Sequence, residues 1–244
     1  LNEGFATYYA ALAMGDLFGA EQLAVEMDSM RQGAVSADKG DRRRPIVTNR
    51  WNAEFELFDG HAYSKGGMVL HALRRELGDE AYRASIEAWL ERHAGQSAST
   101  HELADVIEDV TGRSMSRFFD QWLFDAGQPD LKVTWEHEDG DCAITVTQSQ
   151  ATASGEGAFD VPLDLQILGE GFEIDRAVRI DSRERTFHVP CAARPKAVLV
   201  DPQGWLLRTL DLDRDDEEAA WALAHARLLL PRMGAARALK ERAG

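Results

Sequence analysis

The chain has 244 residues, 44% hydrophobic and 28% charged, the composition of a globular protein long enough to bury two cores. With 42 acidic against 27 basic groups it carries a net charge of −15, which argues against nucleic acid or an anionic membrane as partners, since both require a positive face. No stretch is long and apolar enough to span a bilayer; the richest, AAWALAHARLLLP, is short and interrupted by His225 and Arg227.

The first segment, LNEGFATYYA, begins inside an element with no starting Met and no signal-like stretch. Part of a longer, soluble chain is expected, its compartment left open. Residues 1–128 read as helical. ATYYAALAMGDLFG is apolar nearly all round, as a buried helix is. Taken alone, Glu3 is a first-turn carboxylate, favourable beside a helix N-terminus. From Asp28 to Trp51 the chain is rich in Gly, Arg and Asp, and this predicts a long loop. Helical periodicity returns in HAYSKGGMVLHALRRELG, with Val69, Leu73 and Leu77 on one stripe and Gly78 as the stop. Gly66 and Gly67 inside that pattern cost about 1 kcal/mol each relative to Ala, which suggests close backbone packing or a ligand wall. DEAYRASIEAWLERHAG is the next helix, and SASTHELADVIEDVTG opens with Ser99 and Glu102 at capping-box spacing. MSRFFDQWLFDAG closes the helical set.

At Pro129 the period changes from helical to alternating. LKVTWEHEDGDCAITVTQSQ alternates across an Asp-Gly turn, which is hairpin chemistry. Short strands follow in VPLDLQILG, FEIDRAVRI, RTFHVP, KAVLVD and WLLRTL, and about seven strands of this kind predict a β-sandwich over 129–212. Residues 213–244 return to helix, with acids at the start and Pro231 as a break. Cys142 and Cys191 fall in strand-like segments and match no metal spacing; buried thiols are expected, and a disulfide between them stays open.

Three stretches together resemble the zinc aminopeptidases of the gluzincin class, the family that includes aminopeptidase N and leukotriene hydrolase. LNEGFATYYA is similar to the helix that supplies that family's third zinc ligand, AYSKGGMVLHAL to the segment with its catalytic tyrosine, and FFDQWLFDAGQPDLKV to the boundary with its β-sandwich. The resemblance implies an α+β multidomain fold: the helical C-terminal half of a thermolysin-like catalytic domain (1–128), an antiparallel sandwich (129–212), and the start of a helical domain (213–244). It implies Zn²⁺ as cofactor with Glu3 as a ligand, Tyr63 as the donor to the developing oxyanion, and peptides with a free N-terminus as substrates.

The family's H-E-x-x-H helix, with two histidine ligands and the general base, and its segment for the substrate amine would precede LNEGFA. HELAD, His101 to Asp105, does not replace the helix: its last position is Asp105, Glu102 serves the cap, and it follows LNEGFA. His61 could line the site or lie exposed, His71 is expected on a helix flank, and His93, His137, His188 and His225 stand at no ligand spacing. The chain alone is therefore expected to retain little zinc and to be inactive, with the missing N-terminal half of its own protein as a partner. The alternative is a non-catalytic relative on the same scaffold, serving as a protein-interaction module.

Overall fold

The computed structural model describes residues 1–151 and 157–243. Its residues divide into two compact units, Leu1–Ala10 with Met30–Gly127, and Ala11–Ser29 with Gln128–Gly244. The fold is α+β: helices, then two β-sheets, then a pair of helices.

The first unit is helical. The start of α1 (Asn2–Phe18) and the end of α2 (Ala20–Ala37) contribute to it, followed by α3 (Gly66–Leu77), α4 (Asp79–His93), α5 (Thr100–Thr111) and α6 (Ser116–Phe119). Single π-helical turns precede α3 (His61–Lys65) and follow α6 (Asp120–Phe124). The predicted stripe of α3 is real: Val69, Leu73 and Leu77 are all buried, and Gly78 leaves the helix at φ +86°. The capping box of α5 also forms: Ser99 Oγ accepts from the Glu102 amide at 3.3 Å, and Glu102 Oε2 accepts from the Ser99 amide at 2.6 Å. The loop expected from Asp28 begins ten residues later, because α2 continues to Ala37. Met27, Met30 and Ala34 recur at helical spacing and are buried, a stripe that the surrounding polar residues conceal.

The second unit is built on seven strands among the described residues: β1 (Asp130–Glu138), β2 (Asp141–Gln148), β3 (Val161–Gly169), β4 (Phe172–Ile180), β5 (Glu184–Pro190), β6 (Ala197–Val200) and β7 (Thr209–Leu212). They form sheets of order β5-β2-β1-β7 and β4-β3-β6. Burial alternates along β2 and along most of β3, as in strands with one face inward. All pairings are antiparallel except β1 with β7. The Asp139-Gly140 turn has φ of +49° and +78°, the two positive values that a tight hairpin needs. The strand expected over WLLRTL starts only at Thr209. Residues before it wrap Asp201, which accepts from the Trp205 amide at 2.8 Å and pairs with Arg208 at 3.2 Å. Cys142 and Cys191 are free, buried thiols.

The terminal helices α7 (Asp216–His225) and α8 (Leu229–Ala243) separate before Pro231, which occupies the first turn of α8, where its missing N–H costs nothing. Small residues seat this pair on the sheet: Ala219, Ala222, Ala226 and Ala235 are buried, and several of them cluster with Leu168, Ala197 and Leu199. Glu218 reaches from α7 to accept from the Val198 amide at 3.1 Å and from the Trp135 indole at 3.1 Å.

Candidate active site

Glycines decide how α1 meets α3. A Cβ on Gly4 would lie 2.7 Å from the Gly66 carbonyl carbon, and a Cβ on Gly66 would lie 3.0 Å from the Gly4 Cα. The two backbones therefore touch, and only hydrogen atoms fit between them. Gly67 serves a neighbouring contact, with the Met30 side chain packed over it. Of the two readings that the glycine pair allowed, close packing is the one realised.

The crossing brings Glu3, adjacent to Gly4, to Tyr63, three residues before Gly66. Tyr63 sits in the π-helical turn His61–Lys65, where the Lys65 amide donates to the Gly60 carbonyl at 2.8 Å. Such one-turn π segments often mark functional positions. The residue is 36% exposed. Its phenol is raised above its ordinary pKa, first by desolvation and then by the charge of Glu3 and a hydrogen bond to that carboxylate. At neutral pH it is a protonated donor beside a carboxylate.

Beneath Tyr63 the turn carries a chain of ionisable groups, buried at Asp38, His61 and Lys65. His61, expected to line the site or lie exposed, does neither. It is 1% exposed, with Nε2 facing Asp38 Oδ1 at 2.9 Å and Nδ1 facing Asp59 Oδ2 at 2.8 Å. Lys65 is fully buried, and its Nζ donates to Asp38 Oδ2 at 2.8 Å. Arg44 closes the chain by donating to Asp59 Oδ1 at 2.7 Å. Burial acts to raise the Asp38 carboxyl, but His61 and Lys65 outweigh it and hold the group below the usual range. Burial lowers the Lys65 ammonium against the pull of Asp38. Asp38 and Lys65 are absent from the sequence reading, although one signal was present: Lys65 stands four residues before Val69, at the head of the apolar stripe, where a solvated lysine is out of place.

His71 is buried within α3 rather than on its flank, with Nδ1 3.1 Å from the Tyr8 hydroxyl. His101 lies in the first turn of α5, tilted against Phe124 with ring centroids 5.0 Å apart. Among the described residues no three His, Cys, Asp or Glu side chains gather to hold a metal. The donors present fit one corner of a three-ligand zinc site, at Glu3, and not the site as a whole.

A model of the Peptidase family M1 domain matches residues 1–122. Aminopeptidase M1 of Arabidopsis thaliana is 31% identical over 169 residues, 68% of this chain and 19% of that protein. The tricorn protease-interacting factor F2 of Thermoplasma volcanium is 30% identical over 174 residues, 69% of this chain and 22% of that protein. The crystal structure of Legionella pneumophila aminopeptidase A in complex with aspartic acid superposes with a TM-score of 0.81 at 18% identity, over 97% of this chain and 27% of that one; this likeness speaks for the fold. The chain spans about a fifth of the length of the curated relatives it matches. With half of its residues inside the family match, the chain belongs to peptidase family M1.

Proposed function

We propose that this chain supplies Glu3 as the third zinc ligand and Tyr63 as the oxyanion donor of an aminopeptidase that removes N-terminal residues from peptides. The observation that carries the reading is the Gly4–Gly66 backbone contact, which brings the neighbourhoods of Glu3 and Tyr63 together, and the Glu3 charge that helps raise the Tyr63 phenol supports it. The names of the relatives, aminopeptidases in several organisms, support the substrate class.

Bound zinc would activate the attacking water and polarise the scissile carbonyl. Glu3 offers one anionic oxygen donor, held in the first turn of α1 by the pinned Gly4 beside it. The two histidine ligands and the general base belong, in this reading, to the part of the protein that precedes Leu1. Tyr63 keeps its proton and donates it as a hydrogen bond to the oxygen on which charge develops. Such a donor gains strength where charge appears and is already in place before reaction, and losing one costs about 10²–10³-fold in turnover.

In the full-length protein, Tyr63→Phe is expected to keep its zinc and lose about 10²–10³-fold in kcat on an aminoacyl p-nitroanilide. Glu3→Gln is expected to lose zinc, read by elemental analysis. Unimpaired turnover in Tyr63→Phe would remove Tyr63 from the mechanism. A full-length protein with neither zinc nor turnover would favour the non-catalytic scaffold.

A further inference from the structure

Three of the groups beneath Tyr63, Asp38, His61 and Lys65, are shut off from solvent. Asp38 directly follows α2, and its two carboxylate oxygens are divided between His61 at 2.9 Å and Lys65 at 2.8 Å. These partners lie two residues before and two residues after Tyr63. The side chains of Asp38, His61 and Lys65 are 1%, 1% and 0% exposed. Asp59 fastens the same turn from the other side: it takes His61 Nδ1 at 2.8 Å, and its Oδ1 accepts from the His61 amide at 2.9 Å.

Stability is a weak account of such a cluster, because a buried ion pair often holds a core no better than apolar residues of the same size. Directed hydrogen bonds do something apolar packing does not: they fix the orientation of the backbone that carries them. The packing agrees. Ser64 sits against α2, since a Cβ on Gly33 would lie 2.6 Å from its Oγ, and Gly60 lies where a Cβ would meet the Ala37 Cβ at 2.8 Å. The turn is thus held through His61, Ser64 and Lys65 and at Gly60 before it, while Tyr63 is exposed.

We propose that Asp38, His61 and Lys65 are positioning residues that lock the His61–Lys65 turn and so set where the Tyr63 hydroxyl stands beside Glu3. The proposal rests on Tyr63 being the oxyanion donor. A donor displaced by about 1 Å loses on the order of 10²-fold in rate, so a brace on its backbone acts on turnover without touching the substrate.

The test is a double-mutant cycle in the full-length protein on an aminoacyl p-nitroanilide, with zinc content measured for each variant. Lys65→Met and Asp38→Asn are each expected to lower kcat about 10–100-fold with KM and zinc content unchanged, and to cause no further loss in a Tyr63→Phe background. Equal losses in both backgrounds, or no loss in the single variants, would overturn the brace while leaving the role of Tyr63 intact. Full activity in Tyr63→Phe alone would overturn both. Should Lys65→Met fail to fold, Asp38→Asn decides, since it keeps the shape of the side chain while removing the charge and turning one of the two acceptor oxygens into a donor.

Discussion

His71 shows how strongly one buried position can tie this fold to pH. Burial, and then the charge of Arg74, push its imidazole down to about 3. In the unfolded chain the same group titrates near 6.5, so between these values the unfolded state binds more protons. The stability it contributes is complete above about pH 6.5 and falls as pH drops toward 3, by up to about 1.4 kcal/mol per pH unit. Denaturant titrations at a series of pH values should show this slope in the native protein. His71→Phe, which cannot take up the proton, should flatten it; an unchanged slope would place the acid sensitivity elsewhere. The Tyr8 phenol beside it is pushed up to about 12, mainly by burial, so the contact stays between two neutral groups at physiological pH.

The contact of α1 with the start of α3 sets the geometry of the candidate site, and its glycines differ in what they tolerate. At Gly4 the added carbon would meet backbone, which cannot move aside cheaply. Gly4→Ala is therefore expected to cost about 1–3 kcal/mol despite the better helix propensity of Ala, and to cut turnover by displacing Glu3 from Tyr63. At Gly67 the neighbour is the flexible end of Met30. Gly67→Ala is expected to be within about 1 kcal/mol of neutral, because Met rotates away and the helix gains propensity. Thermal unfolding of the two variants side by side checks the contrast; equal effects would mean that the crossing yields as a unit. Much of this level was legible in sequence. The Ser99–Glu102 cap, the Asp139-Gly140 turn and the Val69–Leu73–Leu77 stripe each rest on a local rule and each formed as read. The end of α2 was not legible, because the composition of residues 28–37 looks like a loop and only burial of Met30 and Ala34 makes it a helix.

At the scale of the whole molecule, the metal donors are the deciding quantity. A catalytic zinc takes three protein ligands, and among the described residues no three candidate side chains gather. The chain purified by itself is expected to hold no stoichiometric zinc and to cleave no peptide, whereas on the proposed reading the full-length protein holds zinc and cleaves peptides. Elemental analysis showing about one tightly held zinc per isolated chain would contradict this. No helix among the described residues is long and apolar enough to cross a membrane. By itself the sequence determined the succession of helices, strands and helices, because periodicity, caps and turns are written in neighbouring residues, and the resemblance of two of its stretches to a known family singled out Glu3 and Tyr63 as candidates. Only the tertiary structure decided that Gly4 and Gly66 touch, that Lys65 is buried on Asp38, and that His61 stands between two carboxylates. Those contacts join residues more than twenty positions apart or depend on which face is buried, and neither distance through space nor burial is carried by any local pattern.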